Sequence, residues 1–305
     1  MTISLIIPYY NEEQNILKTL NLIKAQSLLP NEVLLINSSS SDKTSEIINE
    51  FSKNNTELNI RNLFANTKNP SDSKNYGILN SKNDFLAFMD CGIFFPENWL
   101  LECMRSNNEK DFDIISAPIK FSAKNTFDAS AIAQLWGYNS RHFVIPGSII
   151  KKKIFEKYGL FENRRAGYDL VWKNKIKKNS VSVLMLKNIS IRYDGYNVAE
   201  NFKKLFLKIF LYSTKSAKLR GYHKDKIYIF LSIIFFILFF LNKNLGIYLI
   251  ITYFLIRQII FPIYKSKSIQ VFIDYPFSLL TIFFVGLVID LSRVMGYFKS
   301  YFYTK

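Results

Sequence analysis

Phe85–Met89 (FLAFM) is an unbroken apolar run that stops on an acid, Asp90. A run without charge or breaker reads as a strand buried on both faces, as at the centre of a parallel sheet. Gly92 and a turn closed by Pro96 follow. Ligands of open α/β sheets sit at the carboxyl ends of the strands, which is where this pattern puts Asp90. A carboxylate there can hold a divalent cation bridging two phosphates, so Asp90 is read as facing a nucleotide diphosphate.

The chain before it repeats one theme. Ile3–Pro8 is an apolar strand, followed by Tyr9, Tyr10 and Asn11-Glu12-Glu13, in which Asn11 is a plausible N-cap with acids in the first helical turn. Ile16, Leu20 and Ile23 recur at helical spacing, Pro30 closes that helix, and Glu32–Ile36 starts a second strand. A polar turn, Asn37 to Asp42, leads into an amphipathic helix over Thr44–Phe51. Strand, helix and acid-bearing strand then follow through Asp90. This is the doubly wound pattern of an α/β sheet. Phe112–Pro118 and Val181–Ile191 read as further strands, and a helix is expected from about Asp169 to Lys178.

Charge narrows the partners. Lys+Arg number 40 against 24 Asp+Glu, a net +16, which suits nucleic acid, an anionic membrane surface or phosphorylated substrates. The lysines of the last third flank runs of Phe, Ile, Leu and Tyr, and no helix-turn-helix, zinc-finger or RNA-recognition signature occurs. That favours a membrane over nucleic acid. The two cysteines, Cys91 and Cys103, form no CxxC or Cys/His cluster and read as reduced thiols of a cytoplasmic domain. Met1 leads directly into a strand-like run, so no signal peptide is expected. The histidines, His142 and His223, have no partner at ligand spacing.

The character changes near Glu200. Asn201–Tyr222 mixes Phe202, Leu205, Phe206, Ile209 and Phe210 with Lys203, Lys204, Lys208, Lys215, Lys218 and Arg220, a basic amphipathic helix suited to the headgroup plane. Three apolar runs follow at 227–241, 245–263 and 271–292. A bilayer core takes ~20 helical residues, and lysines at the ends of the first run can anchor it by snorkelling. The expected domains are thus 1–200, an interfacial helix over 201–226 and a membrane region over 227–305. The catalytic domain and the Tyr264–Lys267 loop are set on the cytoplasmic side.

Taken in order, the motifs from residue 2 to about 220 resemble the membrane-anchored bacterial members of the family 2 glycosyltransferases. The resemblance implies a GT-A fold, a Rossmann-like doubly wound mixed sheet, followed by C-terminal transmembrane helices. It implies an inverting transfer of a sugar from a UDP- or GDP-linked donor to a lipid-linked or saccharide acceptor. The opening unit, SLIIPYYNEEQNILKTLNLIKAQSLLPNEVLLI, points to Pro8, Tyr9 and Asn11 at the nucleotide. Asn37 and Ser38 stand where the family carries acids after its second strand, and Asn37 can hydrogen-bond a base as a neutral amide. Asp72-Ser73-Lys74-Asn75-Tyr76-Gly77 is similar to the family's Ala-x-Arg-Asn-x-Gly, with Lys74 toward the diphosphate and Asn75 beside it.

The family's metal motif, Asp-x-Asp, reads Asp90-Cys91-Gly92 here, so a Mg or Mn ion would have Asp90 as its one acid. All three residues are placed at the donor. In Gly159-x-Phe161 and Gly167-Tyr168-Asp169-Leu170-x-Trp172, Asp169 matches the general base and Tyr168 stands where a Glu is usual. Trp172, on the same helix face, and Arg192 are set on the acceptor side. Arg192 is also a source of positive charge for the leaving diphosphate, since no His follows the last strand. No Gln-x-x-Arg-Trp motif is present, which favours single-sugar transfer over polymerisation. The implied setting is a multi-pass protein of the inner membrane in surface polysaccharide, lipopolysaccharide or glycolipid assembly. Two other readings stay open: a polyprenyl-phosphate sugar synthase, and a membrane scaffold whose transferase domain has lost catalysis.

Overall fold

A computed structural model describes residues 2–302 apart from 68, 141, 165–166, 218–229, 232–233 and 235–236. It divides the chain into two compact units, one of residues 1–120 and 141–193, the other of 121–140 and 194–305. The expected break near residue 200 is therefore displaced to 193/194. Residues 121–140, expected in the first domain, belong with the C-terminal unit.

The first unit opens β1 (Ile3–Tyr9), α1 (Ile16–Lys24), β2 (Glu32–Asn37), α2 (Thr44–Asn54), β3 (Ile60–Phe64), α3 (Pro70–Asn80), β4 (Phe85–Phe88), α4 (Trp99–Glu109) and β5 (Ile114–Ser116). After β6 (Ile119–Phe121), α5 (Thr126–Leu135) and β7 (Asn139–Ser140) come β8 (Ser148–Lys151), α6 (Lys152–Tyr158), α7 (Tyr168–Lys177), β9 (Val183–Met185) and β10 (Ile191–Tyr193). Its seven-stranded sheet has the order β3-β2-β1-β4-β8-β5-β9. β1 pairs in parallel with β2 and β4, and β2 with β3, whereas β8 runs antiparallel to both its neighbours. The sheet is mixed and Rossmann-like, as expected.

The apolar runs explain the centre of that order. β2 and β4 are buried at every residue, and β1 at all but Pro8. Their inward side chains meet Ile114, Ile150, Phe155, Phe161 and Trp172 in one core, each full burial contributing ~1.5–3 kcal/mol. One carboxylate is accommodated among them. Glu32 accepts hydrogen bonds from Ser4 Oγ at 2.6 Å, Lys82 N at 2.6 Å and Arg61 Nη1 at 2.9 Å. Gly77 lets α3 approach β1, since a Cβ there would stand 2.5 Å from Ile6 Cγ2.

The second unit is helical. Asn125 Oδ1 caps α5 by accepting from Asp128 N, and Asn201 Oδ1 caps α8 (Phe202–Ser216) by accepting from Lys204 N. Two further helices, Lys243–Ser266 and Ser278–Phe302, are long and apolar enough to cross a membrane. Of the three expected spans, 227–241 falls partly outside the described residues. The third begins at Ser278 rather than 271: Gln270–Asp274 is a separate short helix, and Pro276, with no N–H to give, breaks the register.

The apolar stripe of α8 was expected to lie in the headgroup plane. Its Leu205 and Ile209 are instead buried in a core with Ile282, Val285 and Ile289, and Gly296 allows a close approach to the α8 backbone at Phe210. Leu207 and Leu211, on another side of α8, stay exposed.

Midway along the two long helices lies a buried polar cluster. Residues 255–260 form a π-helical turn, in which the consecutive Arg257 and Gln258 are both buried. Arg257 donates to Gln134 Oε1 of α5 at 2.6 Å and to Asp290 Oδ1 at 2.8 Å. Gln258 Nε2 reaches Asp290 Oδ2 at 3.2 Å, and Gln134 Nε2 reaches Gln258 Oε1 at 2.7 Å. Gly286 leaves room for both glutamines, for a side chain there would collide with Gln258 Oε1. Arg293 approaches Asp290 at 3.5 Å.

Asp290 is the acid to which both arginines turn, so removing it strands buried charge. Asp290→Ala is expected to destabilise the whole protein in detergent by about 3–5 kcal/mol, and Asp290→Asn by less because it keeps hydrogen-bond acceptors. Denaturant unfolding followed by circular dichroism measures both.

Candidate functional site

The carboxyl ends of β1, β2 and β4 and the first turns of α3 and α7 carry most of the residues singled out by sequence. At their centre is an ion pair. Lys74 Nζ on α3 donates to Asp90 Oδ1 at 2.8 Å; the lysine is 2% exposed, while the carboxylate side chain is 39% exposed. Burial alone would lower the Lys74 ammonium, but Asp90 and Tyr168 together outweigh it and the pKa stands above the ordinary lysine value. The same ammonium lies 6.0 Å from the Tyr168 ring centroid. Burial pushes the Tyr168 phenol up, and Tyr168 feels the charges of Lys74, Asp90 and Asp169. Lys74 therefore links the acid after β4 to the start of α7.

α7 begins after Gly167, whose φ of 74° sets its first turn. Asp169 lies in that turn, 37% exposed at the side chain, with Lys173 Nζ 3.1 Å from its Oδ2. Lys173 is itself held by Phe143 O at 2.8 Å. Asn75 fastens the Gly159-x-Phe161 stretch to α3: its Nδ2 donates to Phe161 O at 2.8 Å and its Oδ1 accepts from Phe161 N at 3.0 Å. Asn75 thus braces the loop rather than offering its amide to a nucleotide.

Three further expectations are corrected. Tyr9 is 2% exposed, and its hydroxyl donates to Asn62 Oδ1 at 2.7 Å, so its ring belongs to the core side of β1. Trp172 is 2% exposed, stacks on Phe155 at 4.8 Å and donates from Nε1 to Gly159 O at 2.8 Å. It supports α7 from beneath and faces no acceptor. Asn11 does not cap α1, which starts after Asn15. At φ 54° Asn11 instead ties two loops together, donating from N to Ser40 Oγ at 3.0 Å and accepting from Ser41 N at 2.9 Å.

Pro8 ends the apolar part of β1 and is partly exposed. Asn37 is buried, its Oδ1 closing the next turn by accepting from Ser40 N at 2.8 Å. Ser38 Oγ sits 2.7 Å from Ser73 Oγ, the neighbour of Lys74. Asn11, Glu13, Gln14, Asn15 and Asp42 line a cleft of about 260 Å³.

Sequence reasoning passed over the residues behind Asp90. Thr19 Oγ1 accepts from Gly92 N at 3.0 Å and lies 3.4 Å from Cys91 Sγ. Burial pushes the Cys91 thiol up to about 12. Glu12 accepts from Asn15 Nδ2 at 2.8 Å, and burial raises its pKa, with Asp90 adding to the effect. The helical spacing of Asn15 and Thr19 was legible, but only the fold turns them toward residues 91–92.

This arrangement tests the expected Mg or Mn ion. Gly92 has φ 79°, and a Cβ there would meet Asn15 Cγ at 3.3 Å, so a side chain at that position would strain the backbone and crowd Asn15. Asp90 already shares Oδ1 with Lys74. Among the described residues no three His, Cys, Asp or Glu side chains gather as metal ligands. Asp90, 39% exposed and with Oδ2 not engaged by Lys74, is the carboxylate that would hold a divalent cation together with diphosphate oxygens and water.

The mixed seven-stranded sheet, with an acid after its fourth strand, has the Rossmann-like arrangement of the GT-A fold. The family model described as "Glycosyl transferase family 2" matches residues 4–161, and the chain belongs to that family of glycosyltransferases. Over 216 residues it is 26% identical to Glycosyltransferase AglE of Haloferax volcanii, covering 67% of this chain and 70% of AglE. Against Glycosyltransferase GlyA of Streptococcus pneumoniae it is 25% identical, but spans 21% of that protein. Among solved structures, S. aureus TarS 1-349 in complex with UDP-GlcNAc superposes with a TM-score of 0.52 at 17% identity, covering 97% of this chain and 90% of that 1-349 chain. Mannosyltransferase PcManGT from Pyrobaculum calidifontis, solved with GDP-Man and Mn2+, gives 0.59 at 13% identity, covering 95% and 86%.

Lys74→Met removes the ammonium but leaves Asp90 able to rehydrate, so the stability loss is expected at about 1–2 kcal/mol rather than the full cost of a buried pair. The raised lysine pKa keeps the pair intact until pH passes that value. The difference from wild type should therefore stay constant between about pH 6 and pH 9 in denaturant titrations.

Proposed function

We propose that this protein is an inverting glycosyltransferase that moves one sugar from a UDP- or GDP-linked donor to a hydroxyl of a lipid-linked or saccharide acceptor. The observation that carries the reading is the link from Asp90 through Lys74 to Tyr168 and Asp169. One solvent-open carboxylate belongs to the end of β4, the other to the first turn of α7, and a single buried lysine relates them. Family membership and the UDP-GlcNAc and GDP-Man complexes of fold neighbours support a nucleotide sugar as donor.

In this reading the diphosphate lies along the carboxyl ends of β1 and β4, at Asp90, Cys91 and Gly92. Asp169 accepts the proton of the acceptor hydroxyl as that oxygen forms its bond to the anomeric carbon. The bond from that carbon to the diphosphate oxygen breaks, and its electron pair leaves with the nucleoside diphosphate. Lys173, anchored on Phe143 O, orients the Asp169 carboxylate. Asn75 and Trp172 keep the Gly159–Phe161 stretch and α7 in place.

Membrane attachment through the C-terminal unit is part of the proposal. Lys243–Ser266 exposes Leu245, Ile251, Leu255, Ile256 and Ile260, surface that lipid would cover. With a cytoplasmic catalytic domain, the setting is the inner membrane, and the product a precursor of a surface polysaccharide, lipopolysaccharide or glycolipid.

Asp169→Asn tests the chemistry. Turnover with a hydroxyl acceptor should fall by about 10²–10⁴, with UDP or GDP affinity unchanged by calorimetry. Equal turnover of variant and wild type removes Asp169 from the reaction. Full activity of the variant on a polyprenyl phosphate instead assigns a phosphate acceptor, which needs no strong base.

A further inference from the structure

The Ser278–Phe302 helix has two unlike sides. Leu280, Phe284, Leu291, Met295, Phe298 and Phe302 are 44–79% exposed. At 3.6 residues per turn they fall within about 60° of one another, an apolar stripe running the length of the helix. Ile282, Val285, Ile289, Gly296 and Ser300 are buried and occupy the opposite side.

α8 packs on that buried side. Leu205 and Ile209 share a core with Ile282, Val285 and Ile289. Ser213 Oγ donates to Arg293 O at 3.0 Å, and a Cβ at Gly296 would stand 2.6 Å from Phe210 O. The contacts reach from Ile282 to Gly296, the middle ~20 Å of the helix. α5 covers its beginning, where Ser130 Oγ lies 2.6 Å from Thr281 Oγ1 and Gln134 Nε2 donates to Ile282 O at 3.2 Å.

The outward face of α8 is basic. Lys203, Lys204, Lys208 and Lys215 are exposed on it, spread over about 18 Å of helix. Lys204 pairs with Glu200, and Lys208 donates to Val198 O at 2.7 Å. In a helix crossing the bilayer, Ile282 to Gly296 would lie at the centre of a hydrocarbon layer ~30 Å thick, with α8 carried in beside them. Four lysines would then stand among lipid tails, where charge is costly. Lys208, near the middle of α8, would be the farthest from either interface and the least able to snorkel out. Laid flat, the same two helices sort by polarity: the stripe faces acyl chains, and the lysines face headgroups and water.

We propose that Ser278–Phe302 lies in the plane of one membrane leaflet, its apolar stripe sunk among the acyl chains and α8 on its water side. It takes the place of the third crossing expected at 271–292. The inference rests on the membrane attachment proposed above and deepens it, since both ends of this helix then stay on the same side of the bilayer.

The test uses the full chain in vesicles of phosphatidylcholine and phosphatidylglycerol. Nitroxide labels are placed singly at Leu280→Cys, Leu291→Cys and Phe302→Cys, with Cys91→Ser and Cys103→Ala, and depth is read from oxygen against nickel-chelate relaxation. Successive sites are about 16 Å apart along the helix, and in the plane their depths should agree within about 5 Å. Hydroxyl-radical footprinting of the unmodified chain is the companion measurement: vesicles should protect Met295 on the stripe and leave Tyr212 on α8 open to oxidation. A Leu291 label deeper than both ends by about 10 Å or more, with Tyr212 protected, means a crossing helix. That overturns the inference and leaves membrane attachment standing. Labels shielded from oxygen and broadened by labels on a second chain assign the stripe to a dimer, which also overturns it. Labels as open to nickel chelate as in water, with Met295 oxidised, overturn the inference and the attachment together. None of these outcomes bears on sugar transfer, which Asp169→Asn tests separately.

Discussion

A lysine that is 2% exposed must have its charge answered, and in this protein Asp90 answers it. Much of the surrounding architecture follows from that requirement. β4 has to deliver an acid at its end, α3 has to lie close enough to bring Nζ within 2.8 Å, and Gly77 permits the approach by presenting no Cβ to Ile6. Ser73, one residue before Lys74, fixes the same helix to the turn after β2 through Ser38 and to the segment after β3 through Thr67. Asn75, one residue after, fixes it to Phe161. Three consecutive side chains of α3 thus tie together the ends of three strands and the loop before α7. Desolvation makes the ion pair costly to form, and that cost is also what makes its geometry specific.

The second unit solves a related problem among apolar helices. Arg257, Asp290 and Arg293 are buried midway along helices that are otherwise apolar. Each of them finds partners, and Gln134 and Gln258 complete the network. A π-helical turn turns two neighbouring polar residues inward, and Gly286 makes room for them. Buried among apolar side chains, such a network defines which helix faces meet, because a buried polar group left unsatisfied is costly.

The parts of this architecture that the sequence disclosed are those decided by local pattern. β1, β2 and β4 were legible because strands buried on both faces leave uninterrupted apolar runs, and Asp90, Lys74 and Asp169 because motif order and spacing survive substitution. What stayed hidden depends on where a side chain points. Tyr9 and Trp172 stand inside motifs yet face the core, and no one-dimensional pattern separates an inward ring from an outward one. Asn15 and Thr19 serve the turn at Cys91 and Gly92 across more than seventy residues of chain. Pro276 was visible, but only the structure shows it cutting a short helix from a long one.

The segment 121–140 leaves the first unit after Lys120 and returns to it at Arg141, while its helix α5 packs in the second. Ala129, Ile132 and Ala133 of that helix share a core with Ile282, Val285 and Ile289. No single cleavage point can therefore separate the two units. A chain shortened after Tyr193 would keep α5 while losing Ile282, Val285 and Ile289 from its core, together with Arg257 and Gln258, the partners of Gln134. Solubilisation by truncation thus calls for an excision as well: the loop from Phe121 to Ser140 has to be replaced by a short polar bridge at the same time as the tail is removed.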